Sequence, residues 1–150
     1  MKTYLAAAAF AALLIAAPAQ AQQFTYEVTW GDVEMTGGVG PERSSAAGVV
    51  DGNFTANYED GRTVEGSMHC VGMDQPSGSM FDMHMSCEAT SETGTTSIVY
   101  GCDWRGEGTN GPLACVGYME GRGDIEGRAG LLTLDWHSQN ASSGTGQWFE

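Results

Sequence analysis

The strictest constraint on this chain is a two-residue alternation that returns in segment after segment. From Gln23 to Trp30, Phe24, Tyr26, Val28 and Trp30 fall on one face and Thr25, Glu27 and Thr29 on the other. Successive side chains of an extended strand point to opposite faces, so this is the pattern of a half-buried β-strand. Asn53 to Tyr58 repeats it with Phe54, Ala56 and Tyr58 inward, and Thr63 to Gly72 returns the chain. Met80 to Glu88 sets Phe81, Met83, Met85 and Cys87 on one face. Ser97 to Trp104 does so with Ile98, Tyr100, Cys102 and Trp104, and Leu113 to Met119 with Leu113, Cys115 and Met119. Leu131 to His137 adds Leu132, Leu134 and Trp136, and Thr145 to Phe149 closes the sheet. Beyond the first residues, no segment keeps a helical period over ten positions. Seven to nine strands with one apolar face predict an all-β fold. A closed antiparallel barrel of about eight strands is preferred over a sandwich, because closure removes exposed edges.

The first residues, MKTYLAAAAFAALLIAAPAQA, carry a different signal. Lys2 is a basic start, Leu5 to Ala17 an apolar run, and Ala19-Gln20-Ala21 a small-residue cleavage site. This is the pattern of a secretory signal peptide, residues 1–21, cleaved before Gln22. Residues 22–150 then form a single barrel domain. The short alanine-rich signal points to a periplasmic or secreted protein of a Gram-negative bacterium. No later apolar run reaches membrane-spanning length, so no membrane contact is expected after cleavage. Loss of the signal removes the sole lysine and leaves five arginines (43, 62, 105, 122 and 128) against 19 acidic residues. Such a balance excludes nucleic acid as a partner, which needs clustered cations.

Turn residues separate the strands. Residues 36–48 read as a loop, as do Asp74–Gly78, Glu107–Pro112 and Gln139–Gly144, and the 22 glycines suggest many tight turns. At Glu59-Asp60-Gly61-Arg62, a strict two-residue turn would set apolar against polar faces. One extra residue, pairing Tyr58 with Val64 and Phe54 with Met68, restores the match.

Four cysteines remain: Cys70, Cys87, Cys102 and Cys115. In an oxidising compartment an even number implies disulfides, with three possible connectivities. Cys70 and Cys87 flank one turn and Cys102 and Cys115 another, which predicts two hairpin bridges. Between the first two lies a stretch rich in methionine and histidine. Met68, Met83, Met85 and His84 are candidate ligands for copper, which thioether and imidazole groups suit. Alternation, however, turns His84 away from Met83 and Met85. A directly paired Cys70–Cys87 bridge also sets His69 opposite Glu88 and His84 opposite Met73, about 13 Å apart at ~3.3 Å per residue. The disulfide and a two-histidine site are competing expectations. Asp135 and His137 share a strand face, but no nucleophile is tied to them by a motif.

The segment Gly121-Arg122-Gly123-Asp124-Ile125-Glu126-Gly127-Arg128-Ala129-Gly130 is a glycine-rich turn around one apolar residue. It resembles the G-T-G-x-[FY]-x-G-x-x-G turn of dirigent proteins and allene oxide cyclase-like barrels. Arg122 stands where those carry Thr, and Ile125 where they carry an aromatic. The resemblance covers about ten residues and implies an eight-stranded antiparallel barrel with a central cavity. Its members guide cyclisation or coupling of small apolar molecules; none of their catalytic residues is matched here.

Three functions follow as expectations. The first is an exported barrel that binds a small apolar molecule, or steers its isomerisation or cyclisation, without a cofactor. Its inward set is Phe24, Tyr26, Trp30, Phe54, Tyr58, Met83, Tyr100, Leu134 and Trp136, with Tyr26, Trp30, Phe54, Tyr58, Met83, Tyr100 and Trp136 as ligand contacts. The second is a periplasmic copper binder, and the third a structural or interaction domain. An unfilled interior cavity favours the first, a barrel packed solid with side chains the third.

Overall fold

The computed structural model describes residues 22–38, 45–106 and 112–149. The signal segment 1–21, the middle of the loop 36–48 and most of the Glu107–Pro112 turn lie outside these residues. Nine strands follow one another: β1 (Gln22–Trp30), β2 (Glu34–Thr36), β3 (Ala47–Tyr58), β4 (Thr63–Asp74), β5 (Met83–Ser91), β6 (Gly94–Trp104), β7 (Leu113–Arg122), β8 (Ala129–Ser138) and β9 (Ala141–Trp148). Each pairs antiparallel with its neighbour in the order β1-β9-β8-β7-β6-β5-β4-β3-β2. A further β1–β3 ladder, from Phe24↔Tyr58 to Trp30↔Gly52, closes eight strands into a barrel. Short β2 continues along the edge of β3 that β1 leaves free, pairing Glu34 with Val49 and Thr36 with Ala47.

The apolar face of each of the eight barrel strands turns inward, while β2 is exposed throughout. Tyr26, Val28, Trp30, Met68, Tyr100, Met119, Leu134 and Trp148 are buried together with all four cysteines. Cys70 is bonded to Cys87 and Cys102 to Cys115, each across a directly opposed pair with Cα atoms 4.1 and 4.0 Å apart. That spacing belongs to the narrow, non-hydrogen-bonded pair of an antiparallel ladder, where side chains approach most closely. The first bridge holds the expected register, with His69 opposite Glu88 and His84 opposite Met73.

An eight-stranded barrel is just wide enough for side chains to fill it. Here the filling depends on glycines inside strands. Phe24 lies opposite Gly146 and Tyr26 opposite Gly144, Trp30 opposite Gly52, Phe54 opposite Gly66, and Tyr100 opposite Gly117. Each ring lies across the glycine of the neighbouring strand. A Cβ would stand 2.7 Å from the Trp30 ring at Gly52, 2.8 Å from Phe54 at Gly66, and 2.6 Å from Tyr100 at Gly117. These glycines therefore make room for rings, and the expectation that glycine marks turns holds only for others, such as Gly61, Gly78 and Gly127.

The same pairing corrects the β3–β4 register. Phe54 meets Gly66 and Ala56 meets Val64, two residues from the expected partners. The parity, and so the inward face, is unchanged. The loop is Glu59-Asp60-Gly61, with Gly61 at φ 86° and its amide bonded to the Tyr58 carbonyl at 3.0 Å. This is a type I turn closed by a left-handed glycine. Three boundaries also differ. β3 begins at Ala47, because β2 and β4 pair with that stretch on either side. The last hairpin turns on Gln139 and Asn140 alone, with Ser138 opposite Ala141. β5 begins at Met83, and Phe81 is not inside: its ring covers Gly101, on the outer wall, and meets His84 edge-on at 5.8 Å.

Candidate functional site: an apolar pocket at one end of the barrel

The two halves of the interior are built differently. One half is formed by the ends of β1, β4, β6 and β8 and the starts of β3, β5, β7 and β9. It holds both disulfides. Trp30 and Trp136 stack there with ring centres 4.6 Å apart and planes 7° apart. The Trp30 indole N–H donates to Ser142 Oγ at 2.8 Å, which satisfies both buried groups. Met83 and Met85 lie in this half.

Between the halves, two tyrosines meet. The Tyr26 hydroxyl donates to the Thr133 carbonyl at 2.6 Å. Its single proton is thereby used, so the Tyr100 hydroxyl, 2.9 Å away, donates to Tyr26. Tyr100 is wholly buried and Tyr26 nearly so. Burial pushes both phenols well above their ordinary range, because a phenolate would lose its hydration there. Among the described residues, no buried side-chain nitrogen or oxygen lacks a hydrogen-bond partner.

The other half is not filled. A pocket of about 100 Å³ lies among the starts of β1, β4, β6 and β8 and the ends of β3, β5, β7 and β9. Its walls are Phe24, Tyr26, Phe54, Ala56, Tyr58, Val64, Met68, Ala89, Ile98, Met119, Ile125, Leu132 and Trp148; Ser91, Thr93, Thr96, Arg62 and Arg128 complete the lining. Phe24 and Tyr58 rings pack 5.1 Å apart, and the Trp148 indole N–H donates to the Tyr58 hydroxyl at 3.2 Å. Arg62 lies over Tyr58 at 4.7 Å and Arg128 over Trp148 at 4.9 Å. Ile125 reaches the pocket from the 3₁₀ turn Gly123–Ile125, and Gly121, where the turn folds back, has no space for a Cβ.

Of the seven residues expected to touch a ligand, Tyr26, Phe54 and Tyr58 line this pocket. Tyr100 does not line the pocket and touches one wall residue, Tyr26, through its hydroxyl. Trp30, Trp136 and Met83 are in the filled half, so the full set is not brought to one cavity. The candidate copper ligands are also dispersed. Met68 sits opposite Ala89, four residues along β5 from Met85, while His84 faces out against Phe81. No cluster of three or more His, Cys, Asp or Glu groups suited to a metal occurs among the described residues. Asp135 and His137 do not form a carboxylate–imidazole pair. Asp135 binds Arg105 at 2.9 Å, and His137 Nδ1 lies 3.1 Å from the Asp135 backbone carbonyl. A broad depression of about 630 Å³ on the outer wall crosses β3, β1, β9, β8 and β7, but it is open to solvent and flanked by polar side chains such as Thr25, Asn57 and Thr145.

No protein-family model, curated protein or solved structure matches this chain. The closed barrel is compatible with the superfamily that the Gly121–Gly130 turn resembles, and the likeness stops at the fold.

Sequence reasoning missed Arg62 and Arg128 as pocket residues. They stand 66 positions apart in turns at the same end of the barrel, and only closure brings them together. A usable signal existed: five arginines in so acidic a chain are few enough to ask where each one goes.

Proposed function

We propose that this chain is an exported binding protein whose barrel takes a small apolar group into the pocket beside Phe24, Tyr58 and Trp148. The observation that carries this reading is an apolar cavity of about 100 Å³ at one end of the barrel, lined by rings from β1, β3 and β9. Sites for drug-sized molecules run to roughly 300–1,000 Å³, and a dry cavity of about 150 Å³ accepts benzene. The pocket therefore suits a single ring, a branched alkyl group, or the apolar end of something larger. Structural disulfides persist in oxidising compartments, which supports export to the periplasm or beyond. A titration with toluene, followed through the methyl NMR signals of Met68, Ala89, Met119 and Leu132, tests the site. Saturable shifts confined to these methyls, abolished by Ala89→Phe, are expected. Shifts spread over the outer wall, or none, would sink the reading.

A second reading rests on a different observation. Val99, Tyr118 and Leu131 are direct cross-strand neighbours on the outer wall and are 57%, 44% and 53% exposed. A stripe of this kind on an acidic surface suits an interaction domain. Sedimentation of Leu131→Glu beside the unaltered chain separates the two ideas, since only an interaction role predicts a change in assembly.

A further inference from the structure

We infer that the ligand of this pocket carries a negative charge: it is a small monocarboxylate whose apolar body, about one ring in size, enters the barrel while its anion rests at Arg128. The inference depends on the pocket being a binding site, and adds the chemistry at its mouth. Eighteen residues line the pocket; two are arginines and none is Asp or Glu. In the chain as a whole, acidic residues outnumber Lys and Arg by 19 to 6. The surface that meets a ligand has thus the opposite sign from the rest of the molecule.

The two arginines are not equivalent. Arg62 is held by Asp60, Nε to Oδ2 at 2.8 Å, and about half of its side chain is exposed. The pairing holds the Asp60 carboxyl below its ordinary range, so this arginine's charge is already answered. Arg128 is half-buried and lies over Trp148, its Cζ 4.9 Å from the ring centre. Its hydrogen bond is to a neutral group: Nη2 donates to Gln22 Oε1 at 2.8 Å. Among the described residues no carboxylate comes within ion-pairing distance of it. Gln22 in turn donates to Asp60 at 3.3 Å, so an amide separates the Asp60–Arg62 pair from Arg128. A guanidinium has five N–H donors in a planar fork, suited to a carboxylate. Arg128 offers that fork beside an apolar wall, where water competes less for the anion. The net charge of the protein repels anions at long range, so selection has to come from this local contact.

Paired probes test the inference. Benzoate, phenylacetate and hydrocinnamate are each titrated against the corresponding primary amide, which has the same shape and no charge. Charge-assisted hydrogen bonding predicts that the best-fitting carboxylate binds on the order of tenfold more tightly than its amide. Its advantage should shrink as salt is raised, while amide binding stays level. Arg128→Gln should abolish the advantage and leave the amide bound, and Arg128→Lys should restore part of it. Equal affinity of acid and amide in the unaltered protein would overturn the anionic ligand and leave the apolar pocket standing. Failure of both acids and amides to bind would remove the pocket reading itself.

Discussion

The two halves of the barrel interior solve the same problem, filling a closed eight-stranded sheet, with opposite results. At the Trp30 end, two disulfides, a stacked tryptophan pair and a Trp–Ser hydrogen bond tie the interior together. At the Phe24 end there is no covalent link, and rings line a cavity instead of filling it. A small barrel needs only part of its interior for stability. Concentrating the crosslinks in one half leaves the other free to keep unfilled apolar surface, which costs stability and forms the proposed binding site.

Removing the crosslinks perturbs the barrel most severely. Replacing all four cysteines by serine should destabilise the domain by several kcal/mol, since each closed loop of this size contributes about 3 kcal/mol in the chain-entropy model. Urea unfolding of the reduced or substituted protein gives the value. If the halves are as distinct as their construction, removal of only the Cys102–Cys115 bridge should leave the pocket methyl shifts in place.

Glycine is the next lever. At Gly117 a Cβ would stand 2.6 Å from the Tyr100 ring and 2.9 Å from a backbone oxygen of Val99. Gly117→Ala should therefore cost about 1–3 kcal/mol through overpacking. Gly78, with open space around it, has φ 87° and would lose only local backbone comfort on the same change. Thermal melts of the two variants should rank in that order; equal losses would mean that the ring-over-glycine contact does not hold the interior together.

This point also marks where the sequence was legible. Alternation alone identified the eight barrel strands and, Phe81 apart, their inward faces, because burial on one side enforces a period of two; short, fully exposed β2 gave no such pattern. The cysteines then fixed the β4–β5 register, since a bridge across a directly opposed pair permits no slip. Between β3 and β4 nothing of that kind acts, and a shift of two residues keeps every face. Gly66 decides the register by accepting the Phe54 ring, which requires reading a strand glycine as space for a neighbour. The pocket was legible only in part. Tyr26, Phe54 and Tyr58 are on an inward face, but which end of the barrel remains empty depends on side-chain volumes from eight strands together. The connection after β4 runs from Gln75 to Asp82, longer than the expected Asp74–Gly78, and Phe81 within it leaves the alternation because its ring covers the bare backbone of Gly101 outside.

The tyrosine pair at the junction of the halves allows a finer test. Tyr26→Phe removes the bond to Thr133 and strands the buried Tyr100 hydroxyl, at a cost of about 1–3 kcal/mol. Tyr100→Phe leaves Tyr26 bonded to the carbonyl and should cost less, about 0.5–1.5 kcal/mol. The pair also sets an alkaline limit. Both phenols are held neutral in the fold, whereas an unfolded tyrosine ionises near pH 10. A raised folded value gives stability that is complete below about pH 10 and lost as pH rises toward the folded values. Base titration followed by phenolate absorbance should show two tyrosines ionising only with unfolding, and Tyr100→Phe should leave one.

The two indole hydrogen bonds set the halves side by side, and Tyr58→Phe is the mildest of these changes. Ser142→Ala leaves the Trp30 N–H without a partner in a filled region, where the desolvation of an unpaired donor costs about 1–3 kcal/mol. Tyr58→Phe leaves the Trp148 N–H facing the pocket, where water can replace the lost hydroxyl at a cost below about 1 kcal/mol. The Trp148 bond is also the longer, 3.2 against 2.8 Å, so bond length and surroundings both favour a smaller loss at Tyr58. Ser142→Ala should unfold at lower urea and Tyr58→Phe close to the unaltered protein. The reverse order would mean that the Phe24 end is sealed against water, and the pocket would then be a packing defect rather than a site.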